Sequence, residues 1–238
     1  MTALTRFVLQ VVGWAVGLPL EILVILAIFR GPYRRYPIVF LFVLVDFATT
    51  LVDIALNTQS FLTHDPAVSH LAAKVYWINE WVLQVLIFAT VLSLIDLATF
   101  LSRSRRIMRV GLGAGALLFA GITFWIHFHP APVKIGVWMT PWTRDMSVCA
   151  TVLDLALWMI LIASPKSDRS LMLISGGLGM QFTAEAIGEA VVNLSAAPQS
   201  QVLALIGAII VAIGNLLCLY VWWQTFRAIP SPAKAERH

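Results

Sequence analysis

Glu185 and Glu189 stand four residues apart in the stretch QFTAEAIGEAVVN, residues 181–193, which carries no basic residue. On a helix that spacing puts two side chains on one face. Two like charges held close in a dry site cannot both ionise. Such a pair can pass protons, bind a metal or other cation, or bind a cationic substrate. The competing reading is that protonated acids hydrogen-bond between helices and serve only as packing. Six more acids fall in equally apolar sequence: Glu21, Asp46, Asp53, Glu80, Asp96 and Asp154. Asp65, Asp145, Asp168 and Glu236 are assigned to loops or the tail. An Asp near the centre of a bilayer costs roughly 2.5–3.5 kcal/mol on insertion scales, so acids retained there point to function. Asp96 lies near the cytoplasmic end of its segment, where it could simply face water. Helix period and matched depth group Asp53, Glu80, Glu185 and Glu189 around one polar cavity open to the outside, with Asp46 below them. Glu21 and Asp154, like Asp46 and Glu185, are expected deeper than Asp53, Glu80 and Glu189.

The elements that position these acids follow from composition. Of 238 residues, 60% are hydrophobic and 12% charged, against about 25% charged in a soluble domain. The chain is expected to be all-α, a multi-pass integral membrane protein with the lipid bilayer as its surroundings. A helix needs about 20 apolar residues to cross a bilayer. Seven stretches qualify: 8–29, 38–56, 75–101, 110–129, 147–164, 171–192 and 202–226. Residues 1–226 form one seven-helix domain and 227–238 a short basic tail. The first stretch contains Glu21 and is too long for a signal-peptide core, so it is expected to be retained.

Charge sets the orientation. Twelve Lys and Arg residues, among them Arg30, Arg34, Arg35, Arg169 and Arg227, fall on one side of these spans. Four, Arg6, Lys74, Lys134 and Arg144, fall on the other. The positive-inside rule then places the N-terminus outside and the C-terminus inside, in a bacterial inner membrane. With the basic residues confined to short loops, the net charge of +4 is no sign of nucleic-acid binding. Trp77, Trp81, Trp125, Trp138 and Trp142 are expected near the outer interface, and Trp222 and Trp223 near the inner one. Cys149 and Cys218 fall too far apart in depth for a disulfide, so both are expected as free, buried thiols.

An internal repeat joins the two halves. Residues 20–57 and 153–193 each begin with Leu and an acid (Glu21, Asp154) and cross a short basic loop. Each ends with an acid four residues before an Asn: Asp53 and Asn57, Glu189 and Asn193. Helices 1–3 and 5–7 thus read as two parallel copies with helix 4 as linker. This layout resembles the 3+1+3 seven-helix group of SWEET sugar transporters, PQ-loop proteins and bacterial vitamin transporters. No Pro-Gln pair occurs in helix 1 or 5, and Pro19 has no counterpart in helix 5. The seven-helix shape also resembles opsins, although no Lys falls within an expected span to carry a retinal Schiff base.

Other motifs carry less. His127 and His129 in WIHFHP project roughly 200° apart on a helix and are read as interface residues. GLGAG at 111–115 follows no strand and is read as a close-packing patch. Gly188 and Ala184 are expected to admit a neighbouring helix closely. NLS at 193–195 matches a glycosylation acceptor, relevant only in a eukaryotic secretory pathway. Nucleophile-elbow, HExxH and Walker sequences are absent.

Four functions fit. The first is a small-solute transporter using the carboxylates for proton or cation coupling, with no cofactor beyond a bound cation. The second is a receptor or sensor with a small-molecule or ion ligand. An intramembrane hydrolase with a carboxylate-bound metal is the third. The fourth is a subunit of a homo-oligomer or larger membrane complex.

Overall fold

The computed structural model describes residues 3–63, 65–99, 105–128, 135–163, 168–194 and 201–229. Among them the regular structure is entirely helical. The seven helices are α1 (Ala3–Phe29), α2 (Pro37–Thr63), α3 (Pro66–Ala98), α4 (Arg105–His127), α5 (Ile135–Ala163), α6 (Arg169–Leu194) and α7 (Gln201–Ala228). A short 3-10 turn, Pro32–Arg34, joins α1 to α2. Local chemistry starts several of them. Pro37 and Pro66 open α2 and α3, where a missing N–H costs nothing and φ is already helical. Asp65 caps α3 by accepting from the Ala67 N–H at 2.8 Å. Asp168 caps α6 by accepting from the Ser170 N–H at 2.9 Å.

Six helices are long and apolar enough to cross a membrane: Gln10–Phe29, Pro37–Thr63, His70–Ala98, Val110–His127, Trp142–Ala163 and Val202–Ala228. The chain is an integral membrane protein. α6 is not among the six; Ser175, Gln181, Thr183 and Glu185 together with four glycines dilute its hydrophobicity. At 26 residues and 1.5 Å per residue it is nevertheless about 39 Å long, enough to cross a hydrocarbon layer of about 30 Å.

The helices also overrun the expected spans. α3 starts at Pro66 and α5 at Ile135. Lys74, Arg144 and Asp145 therefore stand on helices, whereas the sequence assigned them to loops. Lys74 is exposed on α3. It falls within the apolar stretch His70–Ala98, so the expectation that no Lys lies within a span does not hold.

The packing is a ring. α1 lies between α2 and α7, α3 between α2 and α5, and α6 between α5 and α7. α3 also touches α6 across the ring, while α4 stands outside against α3 and α5. The interior is mainly apolar but also holds polar groups, and the outer surface is apolar. Glu21, Gln84, Thr90, Asp154, Ser175 and Gln181 are buried. Leu117, Leu118, Trp125, Val152, Met159 and Ile162 face outward. Apolar surface of this extent needs lipid or a partner to cover it.

The closest seam is α6 against α7. A Cβ at Gly188 would come within 2.7 Å of the Gly207 carbonyl oxygen and run into Val211. A Cβ at Gly214 would overlap that of Ala184. The close approach expected at Gly188 and Ala184 is thus present, with Gly207 and Gly214 as its other half. GLGAG differs: a Cβ at Gly111, Gly113 or Gly115 would meet nothing within 4 Å. Because α4 lies outside the ring, these glycines pack against no neighbour, contrary to the close-packing reading.

The arginine-rich end is tied together by aromatic and ionic contacts. Arg35 pairs with Asp168, joining the α1–α2 turn to the start of α6. Tyr36 is 1% exposed and lies edge-on to Phe226 with ring centroids 5.7 Å apart. Burial pushes its phenol up to about 12, overriding the nearby Arg35. Trp222 is fully buried; its indole N–H donates to the Ile174 carbonyl at 2.8 Å, and its ring packs edge-on to Phe42. It is a core residue of the ring and not an interface anchor. The same correction applies to Trp142, buried against Phe124 with its N–H directed at the Ala120 carbonyl. Trp81 and Trp125 are exposed, as an interface position requires. Trp138 and His129 lie outside the described side chains.

Candidate functional site

The sequence-predicted acids come from different helices, and the ring turns most of them inward. Glu21 on α1 is 3% exposed. One turn earlier, a Cβ at Gly17 would meet the Glu21 carboxylate and Leu216 of α7 at ordinary contact distance. Its Oε2 is buried and has no hydrogen-bond partner. Asp46 on α2 lies within electrostatic range of Glu21 and of Glu80 on α3. Cys218 on α7, buried in the core, lies within electrostatic range of Asp46, Asp154 and Glu185. Asp46 thus lies within electrostatic range of Glu21, Glu80 and Cys218, on α1, α3 and α7.

Each acid has a local setting. Asp154 on α5 is 2% exposed, and its Oδ1 accepts from the Ser175 hydroxyl of α6 at 2.6 Å. Glu185 is half-buried and accepts from the Gln181 amide one turn earlier at 3.2 Å. Asp53 is also half-buried; the Asn79 amide of α3 donates to it at 3.4 Å. The Asn57 amide donates to the Asp53 backbone carbonyl at 2.9 Å. Asp53 therefore belongs to the α2–α3 seam, whereas Glu185 belongs to α6, which does not border α2 in the ring. The side chains of Glu189 and Asn193 lie outside the described residues. Asp96 is partly buried near the end of α3.

Several polar neighbours have no obvious signature in sequence. Ser175, Gln84 and Thr90 are buried, and the Gln84 amide nitrogen and Thr90 hydroxyl have no hydrogen-bond partner. Gln84 stands four residues after Glu80, and Gln181 four before Glu185. That spacing marks a polar face and was the available signal for both. Ser175 carries none, because its role depends on which helix faces α5.

Among the described residues, no three His, Cys, Asp or Glu side chains are gathered closely enough to hold a metal ion. Cys149 and Cys218 are free thiols; Cys149 is half-buried, less than expected. His127, at the far end of α4, bonds Asp145 of α5 at 2.9 Å. This ties the outlying helix to the ring and leaves that imidazole outside the acid cluster.

A cleft of about 620 Å³ opens between α5, α6 and α7, lined by Asp154, Gly176, Gly179, Thr183, Gly214 and apolar side chains. The chain matches no family, no curated protein and no solved structure. The likeness to the 3+1+3 transporters consequently rests on helix layout.

Proposed function

We propose that the protein is a seven-span transporter of a small solute, coupled to protons or a monovalent cation through its interior carboxylates. The observation that supports this is that Asp46 lies within electrostatic range of Glu21 and Glu80, and Cys218 within range of Asp46, Asp154 and Glu185. Ionisable groups inside a membrane mark ion or proton routes by default. Here one of them, Glu21, keeps a buried oxygen without a partner. The proposal includes the orientation, with the arginine-rich end cytoplasmic, and the two-copy repeat. The ring supports the repeat: the contacts α1–α2, α2–α3 and α3–α5 recur as α5–α6, α6–α7 and α7–α1.

The test is flux. Protein reconstituted in liposomes containing a pH-sensitive dye should carry protons or sodium when a potential is imposed. Asp46→Asn, which keeps the shape, should abolish it while eluting as wild type. A sealed receptor would carry no flux in either form.

A second reading, a subunit of a membrane complex, is favoured by one observation. Apolar side chains of α4 face outward along the stretch from Leu117 to Trp125. A single-chain particle in mild detergent would remove that reading.

A further inference from the structure

A second cleft, of about 590 Å³, lies at the arginine-rich end between α1 and α7. Arg30, just beyond α1, and Arg227, in the last turn of α7, both line it. Trp223 and Phe226 form its wall. The Arg227 guanidinium carbon lies over the Trp223 ring, 5.5 Å from its centroid, and a guanidinium held over a ring still presents N–H donors. Neither arginine has a carboxylate partner among the described residues. Arg35 at the same end does, in Asp168, and Arg34 is occupied by Tyr33, its Nε donating to the phenol oxygen at 3.0 Å.

Two unpaired guanidiniums lining one cleft repel each other unless an anion joins them. The helix carboxyl ends offset part of the charge, roughly half a unit each. About one net positive charge remains, the complement of a single phosphodiester. Below the arginines the wall turns apolar: Leu23 and Leu26 line the cleft, and both are exposed, as is Phe29 beside them. A ligand that fits has an anionic phosphate at the end of the helices and hydrocarbon along them.

We infer that this cleft is a binding site for an anionic phospholipid, its phosphate held between Arg30 and Arg227 and an acyl chain lying along Leu26 and Leu23. A zwitterionic lipid offers the same phosphate, but its own ammonium group cancels the charge. The site should therefore select phosphatidylglycerol over phosphatidylcholine.

The experiment is native mass spectrometry of the full chain released from micelles doped with equal amounts of those two lipids. Each guanidinium near an anionic headgroup contributes about 1 kcal/mol, or about fivefold. Wild type should retain phosphatidylglycerol preferentially. Arg30→Gln and Arg227→Gln should each lower that preference about fivefold, whereas Arg34→Gln, outside the cleft, should leave it unchanged. Melting curves of the three exposed-site variants establish that each is folded. Equal retention of the two lipids by wild type overturns the inference. So does an equal loss in Arg34→Gln, which would mean diffuse attraction to the whole basic end. Displacement of the lipid by inorganic phosphate at matched concentration would assign the cleft to a free anion and also overturns it.

Discussion

Gly214→Ala tests the α6–α7 seam, on which the placement of Glu185 and Cys218 depends. The new methyl would overlap the Ala184 side chain, with the Met180 carbonyl oxygen 3.4 Å away. Both neighbours belong to a helix interior and cannot swing aside, so the helices must separate. Overpacking of this kind costs about 1–3 kcal/mol. Ala is the better helix former by about 1 kcal/mol, which offsets part of that. Because the overlap with Ala184 is severe, the cost falls at about 2–3 kcal/mol; less about 1 kcal/mol, a net loss of about 1–2 kcal/mol lowers the melting temperature by about 2–8 °C for a chain of this size. The partner change is Ala184→Gly, which removes the methyl that is struck. The double variant carries one Gly and one Ala across the same two helices, as wild type does, so propensity cancels and the melt should return close to wild type. Thermal unfolding in one detergent, followed by tryptophan fluorescence, measures all four proteins. The reasoning fails if Gly214→Ala melts as wild type does, or if adding Ala184→Gly lowers the melt further.

Three other outcomes follow from named contacts. Tyr36→Phe removes a buried hydroxyl without a hydrogen-bond partner, so it should be neutral to stabilising at pH 7. The folded phenol is raised to about 12 while an unfolded tyrosine ionises near 10. Wild type should therefore lose up to about 1.4 kcal/mol per pH unit between those values, a slope absent from Tyr36→Phe in melts run across alkaline pH. Ser175→Ala takes the hydroxyl donor from the buried Asp154 carboxylate and should cost about 1–3 kcal/mol by denaturant titration; Ser175→Thr, which keeps the hydroxyl, should lose less. His127→Gln breaks the bond to Asp145, a pair about one-quarter exposed on both sides, and should cost no more than about 1 kcal/mol in the same titration.

The sequence was most legible where one residue type decides the outcome. Long apolar runs fixed the helices but not their ends: Asp65 and Pro66 start α3 ahead of the expected 75, by capping chemistry that the apolar count does not register. It was least legible where burial depends on a distant helix. Trp222 and Trp223 are adjacent at a helix end and read alike as interface anchors, yet one faces the core and the other lines a surface cleft. GLGAG has the composition of a tight helix contact, but packing tightness belongs to the neighbour, and α4 has none on that side. Gly214 closes the seam with nothing in its local sequence to distinguish it from those glycines. The acids occupy the middle ground. Their apolar context marked Glu21, Asp46 and Asp154 as interior, whereas the grouping by depth alone placed Asp53 with Glu185 although their helices do not border each other in the ring. Depth along a span follows from counting residues; angle around a ring follows only from the packing order.

The central claim is that Asp46, shared between the Glu21–Glu80 group and the acids around Cys218, exchanges a proton inside the folded protein. Infrared difference spectra of the reconstituted protein, taken between acidic and alkaline buffer, read protonated carboxyl groups directly. The account predicts a carboxyl C=O band that appears and disappears with pH, shifts on ¹³C-aspartate labelling, and is lost in Asp46→Asn with the amide bands unchanged. An identical titrating band in Asp46→Asn would contradict it, as would a wild-type spectrum in which no interior carboxyl responds to pH.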